Sequence, residues 1–258
     1  MKFQLLPSTI DENGIASARQ HLLSIIIDDC VAIDAGCLAM SCSNLHRQQL
    51  RDIVLTHSHL DHIAGLPLYI DDLFASLTEP IRIHATHEII EILERDIFNW
   101  SIYPRFSELS NDNGRVMEYH GFKRDETFDV KHLSIQSVFV NHNDSSNGFI
   151  ISDGAGSIAI TGDTAETDEI WAKCNSTKDL KAVFVECAFP NELSELAMVS
   201  HHLTPSRLKR ELEKLQNAKI PVYVINLKPM YRERVVEQLG LENIPQLEIL
   251  DVGKVYEF

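Results

Sequence analysis

Three histidines and one aspartate lie within six positions of the segment LTHSHLDH, residues 55–62. The apolar residues directly before them are typical of a buried strand. Because alternate side chains of an extended chain share a face, we expect His57 and His59 to converge on one point. If the chain then enters a helix, Asp61 and His62 are directed to a second point close to the first. Imidazole and carboxylate are ligands of zinc and related ions, so the segment predicts a site for two cations rather than a solvated loop or a chance cluster.

Three further candidate ligands stand where other predicted strands end or a helix begins. His142 follows SVFVN, Asp163 follows SIAITG, and His202 stands just before the helix start Thr204–Pro205. Each of them alone is more typical of an ordinary turn or helix start. Their joint occurrence at such positions favours a shared site. His201 adjoins His202, and only the HLT register favours the second imidazole as the ligand.

The elements that must hold these residues follow from apolar runs and turn residues. Strands are predicted in residues 22–36, with a turn at Asp28–Asp29, and in RDIVLT, IRIHA, LSIQSVFV, GFIIS, SIAIT, AVFVE and VYVIN. Helices are predicted over residues 65–78, from Thr86, near Thr167, from Thr204, and from about Tyr231 to Gly240. Strands follow one another early in the chain and alternate with helices later. This pattern suits an α/β protein whose sheets are covered by helices.

Length and composition favour a single domain over residues 1–258. No linker, repeat or low-complexity tract interrupts the 258 residues, and the longest apolar runs are far too short to cross a membrane. The start MKFQLLPSTIDENG lacks the apolar core of a signal peptide. Five cysteines without a CxxC pair indicate reduced thiols. We therefore expect a cytoplasmic protein that does not bind membranes.

The formal charge of −15, from 38 acidic against 23 Lys and Arg residues, narrows the class of substrate. Binding to a long polyanion needs a basic surface, so long nucleic acids are disfavoured as partners. A small anion held by metal ions remains compatible with this charge, because local cations can outweigh the field of the whole molecule.

The chain resembles the metallo-β-lactamase superfamily in the order of its candidate ligands, which is His57, His59, Asp61, His62, His142, Asp163 in TGDT and His202 in HHLT. IDAG at residues 33–36 is similar to an early strand motif of that superfamily. Within it, THSHLDHIAGL looks like the signature of class II cyclic-nucleotide phosphodiesterases. The resemblance extends through DIFNWSIYPRF, VECAFPNELSELAMVSHHLTP and NLKPMYRE.

The resemblance implies a four-layer αβ/βα sandwich, the metallo-β-lactamase fold, with a site for two metal ions at one edge of the two sheets. It assigns His57, His59 and His142 to one ion. It assigns Asp61, His62 and His202 to the other, with Asp163 bridging the pair. All these ligands are nitrogen or oxygen donors, which fits Zn²⁺ best and leaves Mn²⁺ or Fe²⁺ open.

The implied activity is hydrolysis of 3′,5′-cyclic nucleotides, cyclic AMP or cyclic GMP, to nucleoside 5′-monophosphates by a hydroxide that bridges the metals. Asp163 would be essential for this reaction, and Asp61 and His201 are candidates for moving the proton to the leaving oxygen. Lys228 and Tyr231, in LKPMY, could reach the phosphate or could be ordinary surface residues.

The aromatic segment FNWSIYPRF, residues 98–106, allows two interpretations. Trp100 could stack on a purine and so bind the substrate. The same residues are also typical of a core anchor or of a contact in a homodimer.

Three alternatives to a cyclic-nucleotide phosphodiesterase remain open at this point. A ribonuclease Z-like phosphodiesterase would keep the metals and act on RNA, and the acidic charge counts against it. A non-catalytic module that binds a nucleotide or a metal would not need a complete set of metal ligands, so the complete set in this chain counts against it. A β-lactam or thioester hydrolase is compatible with the fold alone.

Overall fold

The computed structural model describes residues 1–258, with strands and short helices along the chain. The strands are β1 (Lys2–Leu5), β2 (Ile25–Ile27), β3 (Val31–Ile33), β4 (Asp52–Val54), β5 (Ile81–Thr86), β6 (Ser110–Asn111), β7 (Gly114–Arg115), β8 (Met117–Phe122), β9 (Thr127–Val130), β10 (Leu133–Phe139), β11 (Asn147–Ser152), β12 (Ser157–Ile160), β13 (Leu180–Glu186), β14 (Val222–Ile225), β15 (Leu247–Ile249) and β16 (Val255–Glu257). The α-helices are α1 (Leu38–Ser41), α2 (Asn44–Gln49), α3 (Leu60–Ile63), α4 (Leu66–Leu73), α5 (His87–Ile92), α6 (Glu169–Ser176), α7 (Ser194–Val199), α8 (Pro205–Leu212) and α9 (Arg232–Glu242).

The first compact unit comprises residues 1–123 and 252–257 and is built on a seven-stranded sheet. The strand order is β16-β1-β2-β3-β4-β5-β8. The pairs from β3 to β8 are parallel, and those from β16 to β3 are antiparallel. Buried side chains of β4 and β5 pack with α4, including the fully buried Tyr69, and form the core of this unit.

The second compact unit comprises residues 124–251 and 258, and its sheet repeats the same plan. The strand order is β15-β14-β13-β12-β11-β10-β9. The pairs from β12 to β15 are parallel and the remaining ones antiparallel. Trp171 of α6 and Leu208 of α8 are buried with side chains of β13 and β14 in its core.

In each unit the parallel strands bring their carboxyl ends to one edge of the sheet. In the first unit β3 and β4 lead into Asp34 and Thr56, and in the second unit β12 leads into Asp163 while β13 ends at Glu186. Such edges are the usual position of functional sites in α/β sheets. Strand β10 runs in the same direction as β12, because both are antiparallel to β11, so His142 also follows this edge.

Most of the predicted elements are confirmed. Asp28 and Asp29 form the predicted turn, with positive φ angles of 47° and 59°. The helix predicted over residues 65–78 is α4 followed by a single 3₁₀ turn at residues 74–76. The predicted end of the last helix at Gly240 is wrong. The helix continues to Glu242, and Asn243 adopts the left-handed conformation that ends it, with φ 50°.

The helices are short throughout the chain. The longest of them, α9, has 11 residues, and none combines the length and hydropathy that crossing a bilayer requires.

Candidate metal centre

The first ligand set consists of His57, His59, Asp61 and His62, in the first unit. His59 has an extended conformation and is the N-cap of α3, and the helix then carries Asp61 and His62. His57 and His62 are fully buried, whereas Asp61 is half-buried and His59 is exposed. The ring centroids of His57 lie 4.6 Å from His59 and 4.1 Å from His62. The strand exit thus brings the predicted imidazoles of this segment together.

The buried carboxylate of Asp34 fixes the protonation of two of these imidazoles. Its Oδ2 accepts hydrogen bonds from His62 Nδ1 at 2.7 Å and from Thr56 Oγ1 at 2.8 Å. Because the Thr56 hydroxyl donates its proton to Asp34, it accepts from His57 Nδ1 at 3.0 Å. The protons of both rings are therefore on Nδ1, which leaves the two Nε2 atoms as the candidate ligand atoms.

Two glycines let the IDAG segment approach the first ligand set closely. A Cβ on Gly36 would lie 1.9 Å from the Asp61 carbonyl oxygen, and one on Gly65 would lie 2.6 Å from the Ala35 carbonyl oxygen. Backbone hydrogen bonds from Ala35 to His62 at 2.7 Å and from Gly65 to Ala35 at 2.9 Å close this contact. The two sequence motifs are thus parts of one structure that holds the ligands, and larger residues would separate them.

The second ligand set consists of His142, Asp163 and His202, all buried, in the second unit. One ligand atom from each of the three residues lies within 4.8 Å of the other two. Asp163 Oδ2 lies 4.0 Å from His142 Nε2 and 3.9 Å from His202 Nδ1. Gly162 adopts a positive φ of 63° and turns the chain between the end of β12 and Asp163.

Hydrogen bonds orient both imidazoles of the second set. Glu186, fully buried, accepts from His202 Nδ1 at 2.7 Å. The backbone carbonyl of His201 accepts from His142 Nδ1 at 2.9 Å. A carbonyl oxygen can only accept, so the proton of His142 is on Nδ1 and its Nε2 is the candidate ligand atom. Asn226 donates its amide to Asp163 Oδ1 at 2.6 Å and so orients the carboxylate.

Burial and charge act in opposite directions on the two imidazoles of the second set. Burial lowers the pKa of His142 below its ordinary value, and Asp163 only partly offsets this effect. Burial alone would also lower the pKa of His202, but the carboxylate of Glu186 outweighs it and raises the pKa. Metal ions bind neutral imidazole, and a carboxylate on Nδ1 makes Nε2 more basic as a ligand.

The donors of the two sets fit divalent zinc. Both sets offer only imidazole nitrogen and carboxylate oxygen, which are ordinary zinc ligands. Cys187, which follows Glu186 in the sequence, is fully buried. Burial raises the pKa of its thiol well above the ordinary value. A thiol that keeps its proton is a poor metal ligand.

The other residues singled out in the sequence lie in different surroundings. Lys228 is half-buried, and its charge acts on His202. Tyr231 packs on Phe189 at 5.7 Å, and Phe189 packs on His202 at 5.5 Å between ring centroids. Trp100, by contrast, is 58% exposed in a turn of the first unit and has a positive φ of 68°.

Sequence reasoning assigned no role to Asp34, Thr56, Glu186 or Asn226. The sequence carried a signal for Asp34 and Glu186, since each is a carboxylate at the carboxyl end of an apolar strand. In the structure both are fully buried. A buried carboxylate needs a partner, and a histidine ligand is a suitable one.

Comparison with known proteins identifies first the fold and then the family. A crystal structure of unliganded yeast PDE1 matches with a TM-score of 0.77 and 17% identity over 98% of both chains. The metallo-β-lactamase fold protein YhfI from Bacillus subtilis matches with a TM-score of 0.73 and 15% identity, over 99% of this chain and 98% of that one. The chain therefore has the metallo-β-lactamase fold, as predicted.

The family model of class-II cAMP phosphodiesterases matches residues 37–236. The chain belongs to this family. A relative from Yersinia pestis, named "Probable 3′,5′-cyclic-nucleotide phosphodiesterase", is 25% identical over 227 residues, which cover 78% of this chain and 64% of the relative. The chain thus spans less than two thirds of the length of that relative.

Proposed function

We propose that this chain is a metal-dependent phosphodiesterase that hydrolyses 3′,5′-cyclic nucleotides, cyclic AMP or cyclic GMP, to nucleoside 5′-monophosphates. The observation that carries the proposal is the hydrogen bonding of the four candidate ligand histidines that are buried. Each of them places Nδ1 on an oxygen acceptor and keeps Nε2 as the ligand atom; they are His57, His62, His142 and His202. Membership of the class-II cAMP phosphodiesterase family supports the choice of substrate.

We propose that the two ligand sets together hold two divalent ions, with Asp163 bridging them. Zn²⁺ is the first candidate, and Mn²⁺ and Fe²⁺ are the alternatives. When bound, such ions supply an activated water nucleophile and a clamp for the phosphoryl oxygens.

The remaining roles are assigned to the other residues that the sequence singled out. Asp61 and His201 are the candidates for carrying a proton to the leaving oxygen. Lys228 and Tyr231 would bind the phosphate, an assignment supported by their position near His202. Trp100 would offer its exposed ring to the base.

The rest of the proposal concerns partners and location. The formal charge of −15 favours a small phosphodiester over a long nucleic acid, and so disfavours the ribonuclease Z-like alternative. The five cysteines are all free thiols, which suits a cytoplasmic protein. The single-domain organisation stays a prediction, as does a homodimer through residues 98–106.

The decisive experiment combines metal analysis with a substrate panel. The purified chain, prepared with Zn²⁺, is assayed on cyclic AMP, cyclic GMP, bis-p-nitrophenyl phosphate and a tRNA precursor. We expect about two metal equivalents per chain, because the seven donors exceed what one tetrahedral ion uses. A stoichiometry of one after metal supplementation would contradict the two-ion site, and tRNA cleavage with inert cyclic nucleotides would favour the ribonuclease alternative.

Asp163→Ala tests the same proposal at a single carboxylate. We expect it to lower hydrolysis at least about 100-fold while the protein stays folded, because the bridging position would be lost. Asp153→Ala is the control, since it removes a turn carboxylate at the other end of β12. Activity of Asp163→Ala within a fewfold of the control would exclude this role.

A further inference from the structure

Asn141, directly before the ligand His142, makes hydrogen bonds with all four of its polar groups. Its backbone N–H donates to Thr164 Oγ1 at 3.1 Å, and its backbone carbonyl accepts from the Ala165 N–H at 2.7 Å. Its side-chain amide donates to the Glu166 carbonyl at 2.9 Å. Its side-chain oxygen lies 3.0 Å from Nδ1 of His201. One half-buried residue thus contacts the segments that follow Asp163 and precede His202.

The chemistry of these groups fixes the direction of both side-chain hydrogen bonds. The Glu166 carbonyl can only accept, so the NH₂ group of Asn141 must face it. The amide oxygen then faces His201 and can only accept. Nδ1 of His201 therefore carries a proton and donates to Asn141.

His201 in turn orients a ligand through its backbone rather than its ring. Its carbonyl oxygen accepts the Nδ1 proton of His142 at 2.9 Å. The residue has a positive φ of 54°, a left-handed conformation that costs a non-glycine residue free energy and needs support from its surroundings. The residue is otherwise exposed, and the hydrogen bond from its imidazole to Asn141 supports this backbone conformation.

We propose that Asn141 is a positioning residue for metal binding, which holds the segments carrying His142, Asp163 and His202 at the spacing an ion requires. It acts on Asp163 through residues 164–166 and on His142 through the backbone of His201. This inference rests on the proposed metal-dependent function, and the test separates the two.

The chain offers a matched control for the side chain of Asn141. Asn175 is also half-buried in the second unit, and its amide also joins two backbone groups, the Lys214 carbonyl at 2.8 Å and the Gln216 N–H at 2.9 Å. It belongs to α6 and contacts none of the ligand segments through these bonds. Asn175→Ala therefore removes a comparable bridge without touching the site.

The test measures Zn²⁺ binding of the full chain by competition with a chromophoric chelator, the absorption spectrum of the Co²⁺ form, and unfolding of the metal-free protein. We expect Asn141→Ala to weaken one of the two Zn²⁺ equivalents about 10- to 100-fold and to change the Co²⁺ spectrum. Asn175→Ala should leave both unchanged. If Asn141→Ala lowered only the stability of the metal-free protein, as the control does, the positioning role would be refuted.

His201→Ala gives a second variant that does not alter Asn141 itself. It should weaken the same Zn²⁺ equivalent, and the double variant should lose less than the two single losses combined, because both act on the same carbonyl. Independent, additive losses would refute the route through His201. If the wild-type protein bound none of Zn²⁺, Mn²⁺ and Fe²⁺, the proposed function itself would fail, and this inference with it.

Discussion

Replacing Asp34 by Asn tests whether the buried carboxylate prepares the first ligand set for metal. Asp34 has a positive φ of 60°, a conformation that Asn also tolerates, so the substitution is nearly isosteric and does not strain the backbone. The new NH₂ group would replace Oδ2 and meet two donors, His62 Nδ1 and Thr56 Oγ1. His62 would then have to move its proton to Nε2, the atom that binds metal.

The size of the effect follows from the two short hydrogen bonds. A hydrogen bond to a charged group contributes about 1.5–3 kcal/mol, and the bond from His62 to Asp34 is 2.7 Å long. Since about 1.4 kcal/mol is tenfold in affinity, we expect Zn²⁺ to bind about 10- to 100-fold more weakly. If the amide turned over instead, its NH₂ group would face the Thr56 N–H. In the wild-type protein this N–H donates to Asp34 Oδ1 at 2.8 Å. That orientation would lower the stability of the metal-free protein instead.

The assay is Zn²⁺ competition together with denaturant unfolding of the metal-free form. Asp52→Asn is the control, because Asp52 is also a buried carboxylate of the first unit beside a histidine, with His84 Nε2 at 2.9 Å. It should lower stability by about 2 kcal/mol through loss of its ion pair with Arg82 and leave Zn²⁺ affinity unchanged. An Asp34→Asn protein with wild-type Zn²⁺ affinity and wild-type stability would refute the reasoning.

Further predictions concern the second ligand set, stability and substrate size. His202→Ala should lower hydrolysis far more than His201→Ala, and the reverse order in a kinetic assay would mean that the exposed ring is the ligand. Asn226→Ala, which removes the 2.6 Å hydrogen bond to Asp163, should weaken Zn²⁺ about tenfold in the competition assay, and an unchanged affinity would exclude a role in orienting the carboxylate. Burial would raise the pKa of Asp52, but its arginine partner outweighs burial and holds the pKa below the ordinary value. The contribution of Asp52 to the free energy of unfolding is therefore present above about pH 4 and lost at lower pH. The difference in unfolding free energy between wild type and Asp52→Asn should therefore shrink on acidification, and a constant difference would contradict this sign. Cyclic AMP hydrolysis should depend weakly on salt, and no tight tRNA complex should form at low ionic strength, whereas steeply salt-dependent tRNA binding would oppose the assignment.

The local sequence pattern was sufficient to predict the strands that are buried on both faces. The run III of β2 and the run VAI of β3 are entirely buried, and the two aspartates between them suit the positive φ angles of the turn. The candidate ligands were found for the same reason. They stand where apolar strands end, and a polar residue at such an end is conspicuous against its neighbours.

The strands at or next to the edges of the first sheet gave no comparable signal. Strand β1 pairs with β16, so that Lys2 lies opposite Glu257 from the other end of the chain. Strand β8, MEYHGF, is buried only at its first and last residues and lacks a regular alternation. Pairing over such distances in sequence stabilises these segments, and no local pattern encodes it.

The hydrogen bonds that orient the ligands show a second limit of motif reasoning. The sequence offers His201 and His202 as two alternative rings, and the structure engages both residues through different groups. His202 is buried with its ring on Glu186, whereas His201 offers its carbonyl to His142 and its ring to Asn141. A carbonyl is present at every position, so its role depends only on the conformation that the neighbouring segments impose. Motifs built on side-chain identity therefore identify the candidate ligands, and the groups that fix the protonation and spacing of these ligands become visible only in the folded chain.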